Sequence, residues 1–170
     1  EDYEYQKNKL DKDVINPSQI RLIIKEFKRI LPQIFPERHF EKDGTFEVPK
    51  TLIFAKTDSH ADDIIKVVRE EFGEGNDFCK KVTYKIKENP KTVLSQFRNS
   101  WSPRIAVTVD MIATGTDVKP LEILLFMRDV RSANYFEQMK GRGTRTIKMD
   151  DLQRVTQTAK HTKTHFIVID

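Results

Sequence analysis

Apolar positions fall along this chain in two textures, and the change between them marks its organisation. Early on, Ile20, Ile23, Ile24, Phe27, Leu31 and Ile34 recur at the spacing of one helical face. Asn16-Pro17 stands just ahead of them, an N-cap followed by proline at the first helical position. Pro32 and Pro36 are expected to end or kink that helix. Residues 1–15 read as a charged lead-in, and residues 37–50, with Gly44 and Pro49, as a loop. From Thr51 the runs become short and continuous. Leu52-Ile53-Phe54-Ala55 is the first, with Asp58 and Ser59 as candidate caps for a helix that carries Ala61, Ile64, Ile65, Val68 and Phe72 inward. Gly73 and Gly75 stop that helix.

Val82, Tyr84 and Ile86 alternate, as in a strand with one exposed face. A short helix follows with Val93, Leu94 and Phe97 on one side. Residues 105–109 and 123–127 are unbroken apolar runs, Ser132 to Lys140 reads as a helix with Tyr135, Phe136 and Met139 inward, and 166–169 is a last strand. Unbroken apolar strands alternating with amphipathic helices predict an α/β fold, a parallel sheet with helices on both faces. The expected organisation is a lead-in over residues 1–47 with one amphipathic helix, then an α/β lobe over residues 48–170.

Composition narrows the class only a little. With 38% hydrophobic residues in 170, the chain has enough apolar surface for one core and too much for disorder. The net charge of +4 is a mild basic excess, compatible with nucleic acid and equally with an ordinary lysine-rich surface. Cys79 is the single cysteine, so no disulfide framework or CxxC metal site forms within the chain. His39, His60, His161 and His165 lie in no zinc-ligand spacing, and no structural metal is expected. No apolar run is long enough to span a bilayer, and Glu1-Asp2-Tyr3-Glu4 is no signal peptide, so the expected setting is cytoplasmic and free of membrane. The abrupt ends read as those of a piece of a longer protein.

Ligands of such a sheet sit beyond the carboxyl ends of its strands, and three stretches stand there. Lys56-Thr57-Asp58 joins a strand end to a helix start, where a lysine, a hydroxyl and free amides suit a phosphate. Residues 110–117 include Thr114, Gly115 and Asp117, a turn in which glycine permits close approach and the carboxylate suits a ribose hydroxyl. In residues 138–145, Gln138, Arg142 and Arg145 share one helical face, with Gly141 and Gly143 between them. Paired arginines of this kind suit a transferring phosphoryl group. None of the six glycines is followed by lysine, so no phosphate-binding Walker loop is present. Nor is there an Asp-Glu box after a strand to hold magnesium. This chain is therefore not expected to turn over a nucleoside triphosphate by itself.

Taken in order, these stretches resemble motifs IV, V and VI of superfamily 2 helicases and translocases. Residues 48–57 with His60-Ala61, residues 104–117, 126–130, 138–145 and 165–170 are similar to the restriction subunit of type I restriction–modification enzymes. The resemblance spans roughly residues 14–170. It implies a second RecA-like lobe, of the P-loop NTPase type, within an ATP-dependent DNA translocase and endonuclease. By that resemblance Arg142 and Arg145 match the arginines that reach the γ-phosphate across an interlobe cleft, and Gly115, Asp117 and Gln138 lie by the nucleotide. Lys56, Thr57, Thr108 and Thr114 stand where the family's second lobe meets the DNA backbone. ATP and Mg2+ would be held mainly by a first lobe outside this chain. The implied partners are double-stranded DNA, that first lobe and a nuclease domain of the same subunit, and the methyltransferase and specificity subunits. DEAD-box proteins carry histidine where Gln138 stands, arginine at Thr114 and threonine at Val109, so an RNA helicase is the weaker match. The alternatives are the second lobe of another superfamily 2 DNA helicase, or a non-catalytic nucleic-acid-binding module.

Overall fold

The computed structural model describes residues 16–83, 89–109, 118–128, 146–164 and 166–169. Within them the elements are α1 (Pro17–Ile34), β1 (Thr51–Phe54), α2 (Asp58–Phe72), β2 (Cys79–Val82), α3 (Pro90–Asn99), β3 (Ile105–Thr108), β4 (Ile123–Phe126), α4 (Met149–Gln153) and β5 (Ile167–Ile169). The strands form one parallel sheet in the order β2-β3-β1-β4-β5. From β1 the chain moves to the β2 edge, returns to β3, and then crosses to β4 on the other side of β1. The strand order reverses about β1, so the crevice beyond β1, β3 and β4 is the natural ligand edge.

The period-two alternation of strand side chains divides the core. Ile53, Ala55, Cys79, Ile105, Val107, Ile123 and Leu125 face one way and pack with α1 and α2. Phe54, Val82, Ala106, Leu124 and Phe126 face the other way and pack with Val93, Leu94 and Phe97 of α3. Phe54 and Phe126 are register partners, and their rings stack at 5.0 Å. The expected α/β fold with helices on both faces is therefore the fold observed.

Several local expectations are met by identifiable bonds. Asn16 caps α1 by accepting from Ser18 N at 2.9 Å, and Asn89-Pro90 repeats the device at α3, where Lys91 N donates to Asn89 at 3.0 Å. Gly73 ends α2 in the left-handed region at φ 63°, which a side chain would disfavour. Others differ. Pro32 lies inside α1, which continues to Ile34. In the last turn Pro32 forfeits the bond its nitrogen would make to the preceding turn, and Leu31 beside it is fully buried. Among the described residues the second strand is Cys79–Val82, its register set by pairing of Cys79 with Ile105, and of the expected 82–86 stretch only Val82 falls within it. Residues 84–88 and the expected helix at 132–140 lie outside the described residues. The cap of α2 is Thr57, one residue ahead of Asp58.

The α1 helix is not peripheral. Ile20, Ile24, Phe27 and Leu31 are buried in the same cluster as the sheet, and Arg21 pairs with Glu70 and Glu71 of α2. After α1, Arg38 forms a buried two-pronged pair with Glu122, both bonds at 2.7 Å, next to the entry of β4. Replacing Arg38 with alanine leaves a buried carboxylate without its partner. We expect a loss of about 3–5 kcal/mol, read as a lower denaturant midpoint at unchanged slope. A loss under about 1 kcal/mol, the size typical of surface pairs, would contradict the buried geometry.

Candidate nucleotide and nucleic-acid interface

At the carboxyl edge, β1 ends in a turn built by its own backbone. The Thr57 hydroxyl accepts from His60 N at 3.1 Å, and Lys56 N donates to His60 Nδ1 at 3.0 Å. This is a reciprocal cap, with a histidine in the place that glutamate or glutamine often fills. Thr57 is exposed and Lys56 half-buried, so both present polar atoms at this edge. Their surroundings carry both signs of charge. Asp58, in the first turn of α2, and Asp62 share the single ammonium of Lys81, whose Nζ lies at 3.3 and 2.7 Å from them. The N-terminus of α2, the positive end of its dipole, faces the crevice beside Lys56.

Arg128, just past β4, donates from Nη1 to Val109 O at 3.2 Å, joining the ends of β4 and β3 across β1. Pattern reading did not single it out, although it stands next to a strand end where a cation has reason to be. Thr108 closes β3 but is 1% exposed, and its hydroxyl has no hydrogen-bond partner among the described residues. A contact from Thr108 to DNA would require that hydroxyl to be uncovered. Thr114, Gly115, Asp117, Gln138, Arg142 and Arg145 lie outside the described residues. The edge thus brings Lys56, Thr57 and Arg128 together, an ammonium, a hydroxyl and a guanidinium. That donor set suits phosphate oxygens and not a divalent cation. Among the described residues no group of histidines, cysteines and acids could hold a metal ion, and no helix is long and apolar enough to cross a membrane. Burial pushes the Cys79 thiol up to about 12, which leaves it no nucleophile at neutral pH.

The opposite, amino edge holds charges that pattern reading missed. Lys50 is fully buried just before β1, and its Nζ donates to Ser100 O, Trp101 O and Pro103 O at 2.7, 2.9 and 2.6 Å. Burial and then the Arg104 charge push Lys50 down to about 6, opposed by Glu47. Three carbonyls around one nitrogen require the three donors of the ammonium, so the charged form has the matched bonds. Arg104, also fully buried, donates to Val48 O at 2.9 Å, Thr156 Oγ1 at 2.9 Å and Val155 O. Burial lowers it to about 10, partly offset by Glu47 and Glu122, and it stays charged. Glu47 accepts from Trp101 Nε1 at 2.7 Å, Thr158 N at 2.9 Å, Thr158 Oγ1 at 2.7 Å and Gln157 N at 3.1 Å. These residues are structural, and the signal that could have found them is a charged residue directly abutting an apolar strand.

The fold defines the class first: a RecA-like α/β lobe with a parallel sheet. In solved structures the chain resembles a fragment of an HsdR subunit of a type I restriction enzyme from Vibrio vulnificus YJ016, with TM-score 0.66 and 24% identity, covering 94% of this chain and 28% of that one. It also resembles domain 2 of the DEAD-box helicase Mss116p, with TM-score 0.55 and 21% identity over 76% of this chain and 46% of that one. T4 UvsW gives 0.57 at 15% identity, over 96% of this chain and 27% of that one. No family model matches the chain.

Sequence carries the identification one step further. The chain is 36% identical over 104 residues to the EcoKI endonuclease subunit of Escherichia coli K12, and 28% identical over 107 residues to the EcoAI endonuclease subunit of Escherichia coli. These matches take in 56% and 59% of this chain but only 9% and 13% of those two subunits. Likeness in sequence and in fold together support a helicase-type lobe related to the endonuclease subunits of type I restriction enzymes.

The Glu47 cluster makes a pH prediction. Burial alone would raise its carboxyl, but the bonds from Thr158 and Trp101, with the Arg104 charge, hold it below the usual 4.5. A depressed carboxylate contributes stability that is fully present above that value and is lost as pH falls through the folded-state value. Glu47→Gln should therefore be less stable at neutral pH by about 1–3 kcal/mol, with the gap to the parent closing below pH 4.5. Chemical denaturation at a series of pH values checks it, and a gap that widens in acid would contradict the assignment.

Proposed function

We propose that this chain is the second motor lobe of an ATP-dependent DNA translocase within a type I restriction endonuclease. The observation that carries the reading is the pairing of sequence likeness to EcoKI with a RecA-like sheet whose carboxyl edge presents Lys56, Thr57 and Arg128. On this reading Lys56 and Thr57 hold the DNA backbone, with Thr114 and, once uncovered, Thr108 beside them. Arg142 and Arg145 meet the γ-phosphate, where a planar fork can hold two equatorial oxygens. Gly115, Asp117 and Gln138 approach the sugar and base side of the nucleotide. ATP, with Mg2+ held chiefly by a first lobe, supplies the free energy of movement. The partners are double-stranded DNA, that first lobe and nuclease domain, and the methyltransferase and specificity subunits. The lobe of a different superfamily 2 DNA helicase is the second reading. The sequence likeness favours restriction.

In the full-length protein, Arg142→Ala or Arg145→Ala should lower DNA-stimulated ATP hydrolysis by about 10³-fold or more while the thermal melt stays unchanged. Arg→Lys should fail too, because the charge remains but the fork is lost. Turnover above about a tenth of the parent's in both alanine variants is far more than loss of an arginine finger leaves, and it would remove the support for the motif VI assignment.

The 170-residue chain alone should show no ATP turnover above a mock preparation, since it lacks a Walker lysine. Hydrolysis by the purified chain would refute that division of labour.

A further inference from the structure

We infer that His60 is the positioning residue of the DNA-contacting turn: its ring holds Lys56 in place by accepting from the Lys56 backbone amide. This rests on the proposed function, and it names the part of the lobe that shapes the contact. Three observations lead to it. His60 is 1% exposed, so its ring is fixed by packing and has no direct access to a ligand. Nδ1 lies 3.0 Å from Lys56 N, and an amide can only donate, so Nδ1 bears the lone pair and not the proton. In the reverse direction His60 N donates to Thr57 Oγ1 at 3.1 Å.

The two bonds close a small ring around the junction of β1 and α2. Ala55 N, bonded to Thr108 O at 2.8 Å, is the last link of the strand ladder before it. Beyond Ala55 the ladder no longer sets the backbone, and the His60 ring takes over that task. A buried imidazole suits it better than a flexible acid. It presents an acceptor at fixed depth, and it adds no negative charge beside a turn meant for phosphate. Glutamate, the common occupant of this capping position, would repel the ligand that Lys56 is there to attract. Lys81 offsets only one of the two charges of Asp58 and Asp62, so a further carboxylate at position 60 would add to the negative charge already near Lys56. His60 thus supports the contact electrostatically by being neutral, as well as geometrically by being rigid.

The test uses the full-length protein and a DNA duplex of arbitrary sequence. Affinity is measured across a salt series for the parent, Lys56→Ala, His60→Gln and His60→Met, each with a thermal melt. Gln and Met have similar volume, but only Gln keeps an acceptor. Loss of one phosphate contact lowers the slope of log affinity against log salt by about 0.9. We expect that drop in Lys56→Ala and in His60→Met, with the parent slope restored in His60→Gln. A merely structural histidine would lower the melting temperature in both His60 variants and leave both slopes at the parent value. That outcome, with Lys56→Ala still losing its contact, overturns the positioning role alone. An unchanged slope in Lys56→Ala overturns the DNA contact itself, and the positioning role falls with it. If His60→Met does not fold, His60→Phe, which keeps a ring without an acceptor, replaces it in the comparison.

Discussion

Burial of two basic side chains at the amino end of the sheet is the constraint on which the rest of the lobe depends. Lys50 and Arg104 stand immediately before the two central strands β1 and β3, and both are completely enclosed. Charges of this kind are tolerated only when every donor is matched, because an unpaired buried charge costs several kcal/mol. The matching groups are backbone carbonyls from the 100–103 segment, from Val48 and from Val155. Each carbonyl fixes a loop as well as a charge. The pair therefore sets where β1 and β3 begin, and Thr51 N bonding to Arg104 O at 3.0 Å locks the two starts together. Once Thr51 is level with Ile105, the ladder delivers Phe54 level with Thr108 and leaves the two strand ends side by side at the ligand edge.

The same cluster draws in the segment that follows α4. Thr156 bonds to Arg104, and Thr158 and Gln157 bond to Glu47. Residues more than a hundred positions apart are thereby held to one buried carboxylate. On the sheet's other flank, Arg38 and Glu122 do the equivalent for α1 and β4. The amino end of the lobe is consequently rigid and saturated with internal partners. Its carboxyl end is where polar atoms are presented outward, at Lys56 and Thr57. That division follows from where buried charges are enclosed and where polar atoms stand at the crevice.

Much of this was legible from periodicity. The buried face of α1, the inward side of α3 and the runs that became β1, β3 and β4 are all where apolar spacing put them. What periodicity could not reach was anything decided across the sheet. That the second strand begins as early as Cys79 is set by its partner β3, while Tyr84 and Ile86 lie outside the described residues. The α2 cap was placed one residue late, since Thr57 had been read for phosphate chemistry and it also does the capping. Arg104 and Glu47 were invisible as core residues, because their acceptors and donors lie some fifty to a hundred positions away in sequence. Thr108, which the resemblance places at the DNA backbone, is covered by packing.

The sharpest case is a dipeptide that occurs twice. Lys50-Thr51 opens β1 and Lys56-Thr57 follows it, six positions further on and so about 20 Å apart along an extended strand. Composition cannot separate the two pairs, and they have opposite fates. Parallel sheets are polar objects: helices arrive at the amino edge with their C-termini and depart from the carboxyl edge with their N-termini. At the amino edge the carbonyl of Ser100, the C-cap of α3, turns toward Lys50, and the negative end of a helix dipole favours a buried cation there. At the carboxyl edge the N-terminus of α2 offers amides and positive potential, which suit an anion. Lys56 is half-buried there, with its backbone amide tied to His60. One residue type becomes a structural pin at one end of a four-residue strand and a candidate phosphate contact at the other, and strand direction alone decides which.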